Sequence, residues 1–304
     1  MELINLLRKK ECKVSYIQKY DENWSDDELL SNIIELDCSF NLLSKLANLP
    51  NCQLLKCQYN KLESLPNLDN CKELYCNDNF LTSLPNLLNC IKLNCGGNKI
   101  TSLPDLPNCI YLVCEYNELT MIKDLPNCIE FYGSDNQLIA LPELPKCKDI
   151  RCVNNKIKKL PNLSNCIKLV CGCNSIDELP DLHKCIHFSC DSNKLCFLPV
   201  LPMCMELYCD DNCLTDLPSL SNCIKLWCRY NQLVELPDLP KCKELLCNNN
   251  KLVKLPYLPV CQKIWCHDNQ IVELPDLPKC EELLYNNNKF VKSPSLPVCQ
   301  KNMV

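Results

Sequence analysis

The chain has 304 residues, is 47% hydrophobic, and sets 32 basic against 37 acidic residues for a net charge of −5. That apolar fraction suffices for a buried core, and no basic field is present to grip a nucleic-acid backbone. The opening apolar stretch is too short for a signal peptide or a membrane span, so an intracellular protein is expected, with no nucleic-acid and no membrane partner.

Residues 1–33 carry no periodicity and are expected to form an N-terminal cap, helical or irregular. Glu2 to Lys10 reads as a short helix, and Ser25 and Glu28 stand at capping-box spacing ahead of Leu29 and Leu30. Trp24 fits packing within that cap, while the run Arg8, Lys9, Lys10 reads as a solvated face.

From residue 34 to residue 304 one spacing governs the chain. Asparagine recurs every 19 residues, fourteen times, from Asn41 through Asn60 and Asn79 to Asn288. Such constancy predicts a one-dimensional stack of about fourteen coils, a single solenoid instead of two globular domains. The unit is C-x-x-L-x-C-x-x-N-x-L-x-x-L-P-x-L-P-x, as in Cys223 to Asn231 followed by Leu233, Leu236, Pro237, Leu239 and Pro240. Its L-x-C segment alternates like a short strand, sending Leu226 and Cys228 inward and Lys225 and Trp227 outward. Asn231 falls where the strand turns away, and buried backbone groups there need a side chain that both donates and accepts. Two prolines three residues apart disfavour a helix, so the return should be extended or polyproline-like with one tight turn. At about 4.8 Å per coil the stack would form a rod or shallow arc roughly 65 Å long.

Fourteen of the 30 cysteines occupy one repeat position, from Cys52 to Cys299, and twelve occupy another, beginning at Cys38, Cys57 and Cys76. A solenoid wants a small buried hydrophobe at both places, so these read as reduced core thiols. Cys173 and Cys213 fall outside both series, at outward or turn positions. Neither Cys171 with Cys173 nor Cys209 with Cys213 has the paired spacing of a zinc module. His187 and His267 stand four coils apart, roughly 19 Å by strand spacing, too far to share a metal. His183 lies in a return. No catalytic constellation and no cofactor are expected.

The strand segment, Cys223 to Leu233, resembles the L-x-x-L-x-L-x-x-N-x-L signature of the leucine-rich repeat family, with cysteine replacing the first and third leucines. The L-P-x-L-P return resembles the short repeats of bacterial effectors, and the Cys-, Asn-, Lys-, Ile- and Tyr-rich composition is similar to repeat proteins of giant amoeba-infecting viruses. The resemblance implies a leucine-rich repeat solenoid, with short parallel strands on the concave face and extended, proline-containing returns. It implies protein binding through that face and, for a viral protein, residence in the host cytoplasm. It supplies no catalytic residue, and the ligase domain that follows the repeats in some effectors is not expected.

Departures from the unit are few. Gly133 and Tyr285 replace the inward second cysteine, so a packing defect or an intruding neighbour is expected at Gly133 and a closing aromatic at Tyr285. Ser293 replaces the leucine before Pro294, and no compact cap is expected before Val304; a frayed final coil is the simpler expectation, an edge open to weak self-association the other.

The outward residue between core leucine and second cysteine is aromatic or apolar in five successive coils: Tyr208, Trp227, Leu246, Trp265 and Leu284. Two residues earlier, Glu206, Lys225, Glu244, Lys263 and Glu282 alternate in sign. An apolar stripe with a polar rim on a solvent-facing sheet reads as a protein-binding surface, whereas cross-strand packing is the simpler alternative. The expected function is a protein–protein interaction module. Its unidentified protein partner meets the C-terminal half of the concave face through Tyr208, Trp227, Arg229, Leu246, Trp265, His267 and Leu284. A structural or self-associating repeat protein is the alternative.

Overall fold

A computed structural model describes residues 2–16, 20–291 and 301–302. The expectations placed on Ser293, Pro294, Cys299 and Val304 lie outside the described residues. Two compact units divide the chain, Met1–Cys147 and Lys148–Val304.

The first unit opens with α1 (Glu2–Arg8), β1 (Lys13–Tyr16), α2 (Asp26–Ser31) and β2 (Ile33–Asp37). Strands Leu54–Lys56, Glu73–Tyr75, Lys92–Asn94, Tyr111–Val113 and Glu130–Tyr132 follow. From β2 onward they pair in parallel, with equivalent residues opposed, as in Leu36 to Leu55 and Leu55 to Leu74. The capping box at α2 forms as its spacing predicts: the Glu28 backbone N–H donates to Ser25 Oγ at 3.3 Å and the Ser25 N–H to Glu28 Oε2 at 2.9 Å. Leu3, Leu7, Leu29 and Leu30 are buried, and the Trp24 ring packs edge-on to Tyr16 at 5.8 Å. Helix or irregular structure is expected before β2, and a strand forms there as well. β1 runs antiparallel along β2, Val14 opposite Leu36, and so occupies an edge whose backbone groups would otherwise stand free. Its four residues alternate only between exposed and half-buried, too weak a pattern to recognise beforehand.

The second unit contains strands Asp149–Arg151, Lys168–Val170, His187–Ser189, Glu206–Tyr208, Lys225–Trp227, Glu244–Leu246, Lys263–Trp265, Glu282–Leu284 and Lys301–Asn302. They too pair in parallel at the repeat spacing, for example Leu207 with Leu226 and Leu226 with Leu245. Both units are therefore parallel-strand solenoids, as the period requires. Returns are extended, and each closes in a tight turn across the second proline position. The Cys242 N–H reaches the Leu239 carbonyl at 3.2 Å over Pro240 and Lys241, and Cys109 reaches Leu106 likewise.

One amide binds consecutive coils together. Asn231 Nδ2 donates to the carbonyls of Cys209 at 2.9 Å, Cys228 at 3.3 Å and Arg229 at 3.0 Å, while its Oδ1 accepts the Leu214 N–H at 3.0 Å. Asn60, Asn79, Asn117 and Asn269 do the same in their coils and are buried with it. The residue before each of these asparagines has a left-handed backbone, with φ of 52° at Tyr230 and 55° at Asp78. That twist aims the amide back beneath the strand.

Within the core, the first-position thiols donate to the strand carbonyl two residues on, Cys52 to Leu54 at 3.2 Å and Cys223 to Lys225 at 3.0 Å. Leucine fills volume there but has no donor to offer. All described cysteines are free, and those of both ladders are buried. At Gly133 the intruding neighbour is Phe131, fully buried: a Cβ at 133 would fall 2.6 Å from its Cζ. The larger residue and the missing side chain thus compensate within one coil. Tyr285 meets Phe290 at 5.7 Å, an aromatic contact beside the last described core layer.

Replacing Asn231 with alanine should lower the unfolding free energy by about 2–3 kcal/mol, since it leaves buried carbonyls and an N–H unpaired. Asn231→Asp should cost more, because an ionised carboxylate faces three carbonyls. Urea denaturation of the two variants checks the order. The thiols make a second prediction. Burial pushes Cys52, Cys71 and Cys223 up to about 12, well above the ordinary thiol value. Their folded pKa exceeds the unfolded one, so the stability they contribute is intact below about pH 8.5 and is lost as pH rises toward 12. Denaturation midpoints at pH 8 and pH 10.5 should fall accordingly. A thiol reagent at pH 8 should label Cys173, Cys196 and Cys213 at once, and the ladders only after unfolding.

Candidate protein-interaction surface

The strand face of the second unit brings the sequence-chosen stripe into register. Tyr208 opposes Trp227, Trp227 opposes Leu246, Leu246 opposes Trp265, and Trp265 opposes Leu284. Large side chains one strand apart cover one another, and the consequence differs from expectation. Leu246 retains 2% of its surface, with a tryptophan on either side, so it is packing material and not a contact residue. Tyr208, Trp227, Trp265 and Leu284 are half-buried.

Three of the seven chosen residues converge. Tyr208, Trp227 and Arg229 line one open recess of about 540 Å³, together with Ser189, Asp191, Ser192, Asp210, Asp211 and Tyr230. The Tyr208 and Trp227 rings meet edge to face, centroids 4.9 Å apart. Arg229 grips Asp210 Oδ2 through Nε at 2.8 Å and Nη2 at 2.6 Å, and its guanidinium lies 5.3 Å from the Trp227 ring centroid. The Asp210 hydrogen bonds hold Arg229 protonated more firmly than a free guanidinium. Asp191 accepts from Ser189 Oγ at 2.6 Å and Asp211 from Ser192 Oγ at 3.2 Å. Burial, reinforced by Glu206, pushes the Tyr208 phenol up to about 12, so it remains a neutral donor, given to Glu206 at 3.3 Å. The Trp227 indole N–H is buried and finds no acceptor among the described residues.

The other chosen residues stand apart from the recess. Trp265 donates through Nε1 to Glu282 at 2.7 Å and carries Lys263 Nζ 4.4 Å from its ring centroid. His267 Nδ1 lies 2.6 Å from Asp268 Oδ2. Asn287 and His267 hold the Asp268 carboxyl below the usual range. The alternating charges form ion pairs: Glu206 with Lys225 at 3.4 Å, Glu244 with Lys263 at 3.7 Å and Lys263 with Glu282 at 3.9 Å. These pairs are partly exposed and contribute little stability, so their weight falls on the charge pattern.

Sequence reasoning missed Tyr230. It is 56% exposed, at the rim of the recess, in a left-handed conformation that a bulky side chain rarely adopts. The first unit carries aromatics at this position in Phe40, Tyr59 and Tyr116, but in the second unit the other coils place Asn, Cys, Ser or Asp there, and that contrast was the available signal. Among the described residues no group of three His, Cys, Asp or Glu is placed to hold a metal ion, and no helix is long and apolar enough to cross a membrane.

Neither a protein-family model nor a curated protein matches this sequence. Solved structures do. YopM from Yersinia enterocolitica WA-314 is 29% identical with a TM-score of 0.76, over 87% of this chain and 67% of that one. YopM from Yersinia pestis, described as a leucine-rich effector protein, is 28% identical with a TM-score of 0.74, over 87% and 86%. The functional domain of InlJ from Listeria monocytogenes, described as including a cysteine ladder, is 26% identical with a TM-score of 0.73, over 88% and 66%. These neighbours are leucine-rich repeat proteins, and the fold of this chain is the leucine-rich repeat solenoid with a repeat of 19 residues.

Proposed function

We propose that the protein is an interaction module that binds a protein partner through the strand face of its second unit, with the recess bounded by Tyr208, Trp227, Arg229 and Tyr230 at the centre. Leucine-rich repeat neighbours favour a protein partner in general. One observation carries the choice of site. An exposed tyrosine held in a left-handed conformation rims the same recess that leaves a buried indole N–H without an acceptor among the described residues. Both features cost folding free energy, a left-handed residue about 1–2 kcal/mol and an unpaired buried N–H about 1–3 kcal/mol. A partner that covers Tyr230 and brings an acceptor to Trp227 offsets them. Trp265, His267 and Leu284 would then extend the contact along the face. A reducing, intracellular setting belongs to this reading, because the ladders depend on free thiols.

Tyr230→Gly separates binding from folding. Glycine adopts the left-handed conformation without strain, so stability should hold or rise by up to about 1 kcal/mol. Affinity for a partner captured with the wild-type protein should fall about tenfold or more, as it should for Tyr208→Ser. Unchanged affinity in both variants would remove the recess from the reading. The alternative, a self-associating repeat protein, instead predicts a sedimentation coefficient that climbs with concentration in the wild type.

A further inference from the structure

The repeats of the second unit act as controls for one another. On the return side, Phe197 occupies the position of Glu178 and Asp216 in the adjacent coils, Val200 that of Asp181 and Ser219, and Met203 that of Lys184 and Asn222. In this one coil all three solvent-facing positions are apolar together. Phe197 is 56% exposed, Val200 68% and Met203 52%, while Leu198 and Leu201 between them point into the core. Met205, 39% exposed, continues the patch towards the strand.

Met203 also interrupts an outer ladder of hydrogen bonds. At its position Asn222 donates to the Pro202 carbonyl at 2.9 Å, and in the first unit Asn70 and Asn108 reach the preceding coil in the same way. Lys184 and Lys241 reach instead for an asparagine Oδ1 of the coil before, each at 2.8 Å. Methionine has nothing to donate. The coil thus gives up a bond and shows apolar surface to water, an exchange that folding does not reward.

The surroundings state what would cover it. Of the residues in register beside the patch, Glu178, Asp181 and Asp216 are negative and only Lys184 is positive. Glu178 faces Lys159 at 3.3 Å and Asp181 faces His183 at 2.7 Å, both at exposed positions where such pairs exchange readily with other cations. From these features we infer a second docking surface, on the return side, for a partner segment that sets apolar side chains among lysines or arginines. Phe197 and Val200 supply the apolar contact, Met203 and Met205 adapt to its shape, and the carboxylates select its charge. It is independent of the strand-face recess.

The test uses the full chain and two labelled peptides, an amphipathic Leu/Lys peptide and its Leu/Glu counterpart of identical pattern. The Leu/Lys peptide should bind, more weakly as salt rises, and the Leu/Glu peptide should not. A triple variant, Phe197→Ser, Val200→Asp and Met203→Asn, carries residue types found at these positions in other coils. It should bind the Leu/Lys peptide about tenfold more weakly or worse, and Tyr230→Gly should bind it normally. Thermal melting of Met203→Asn should match or exceed the wild type, since the new amide can reach the His183 carbonyl. Equal binding of both peptides, undiminished binding by the triple variant, or a lower melting temperature for Met203→Asn would overturn the inference. So would a wild-type dimer that the triple variant dissolves, because the occupant would then be a second copy of the chain.

Discussion

A strand of three residues cannot hold a fold by itself, and in each coil the chain leaves its strand while carbonyls and an N–H still face the interior. The asparagine amide resolves this. Its NH2 group serves carbonyls of its own coil and of the coil before, and its oxygen takes an N–H from that earlier coil. No other uncharged side chain of that length both donates twice and accepts. Because the partners belong to two coils, each asparagine is satisfied only when its neighbour is in place. Stability in such a stack is a nearest-neighbour property, and the period must be kept without slips.

The thiol ladders follow from the same economy of space. A coil without a helical return leaves a thin interior, where two inward positions per strand accept small side chains. Cysteine fits, and its weak donor reaches a strand carbonyl that leucine would ignore. Burial keeps these thiols protonated and shielded, which separates them chemically from Cys173, Cys196 and Cys213 at the surface. At Phe131 the ring takes the space left by Gly133, whereas Phe188, in the same core column, is accommodated beside a buried Cys190.

With so many positions committed to architecture, the informative residues are those that break the rule of their own column. Tyr230 stands where the other coils of the second unit place Asn, Cys, Ser or Asp in a left-handed turn, and it borders a recess of aromatic rings and carboxylates. Phe197, Val200 and Met203 stand where other coils show polar groups to solvent. One departure is on the strand face and the other on the return, so the two proposed contacts would not compete.

The spacing of the asparagines, the alternation of L-x-C and the paired prolines made the coil legible from sequence, because each reports a local requirement repeated in every turn. The outward column of Tyr208, Trp227, Leu246, Trp265 and Leu284, with Arg229 in the column beside it, was legible as residue types. Which of those side chains remain accessible was not. Leu246 belongs to the same outward column, yet adjacent strands bring a tryptophan to each side of it, and only that spacing buries it. Likewise, strand β1 of the N-terminal segment gained its identity from the sheet edge it pairs with. Periodicity in sequence determined the path of the chain, whereas exposure depends on what the next coil places alongside, and that was decided in three dimensions.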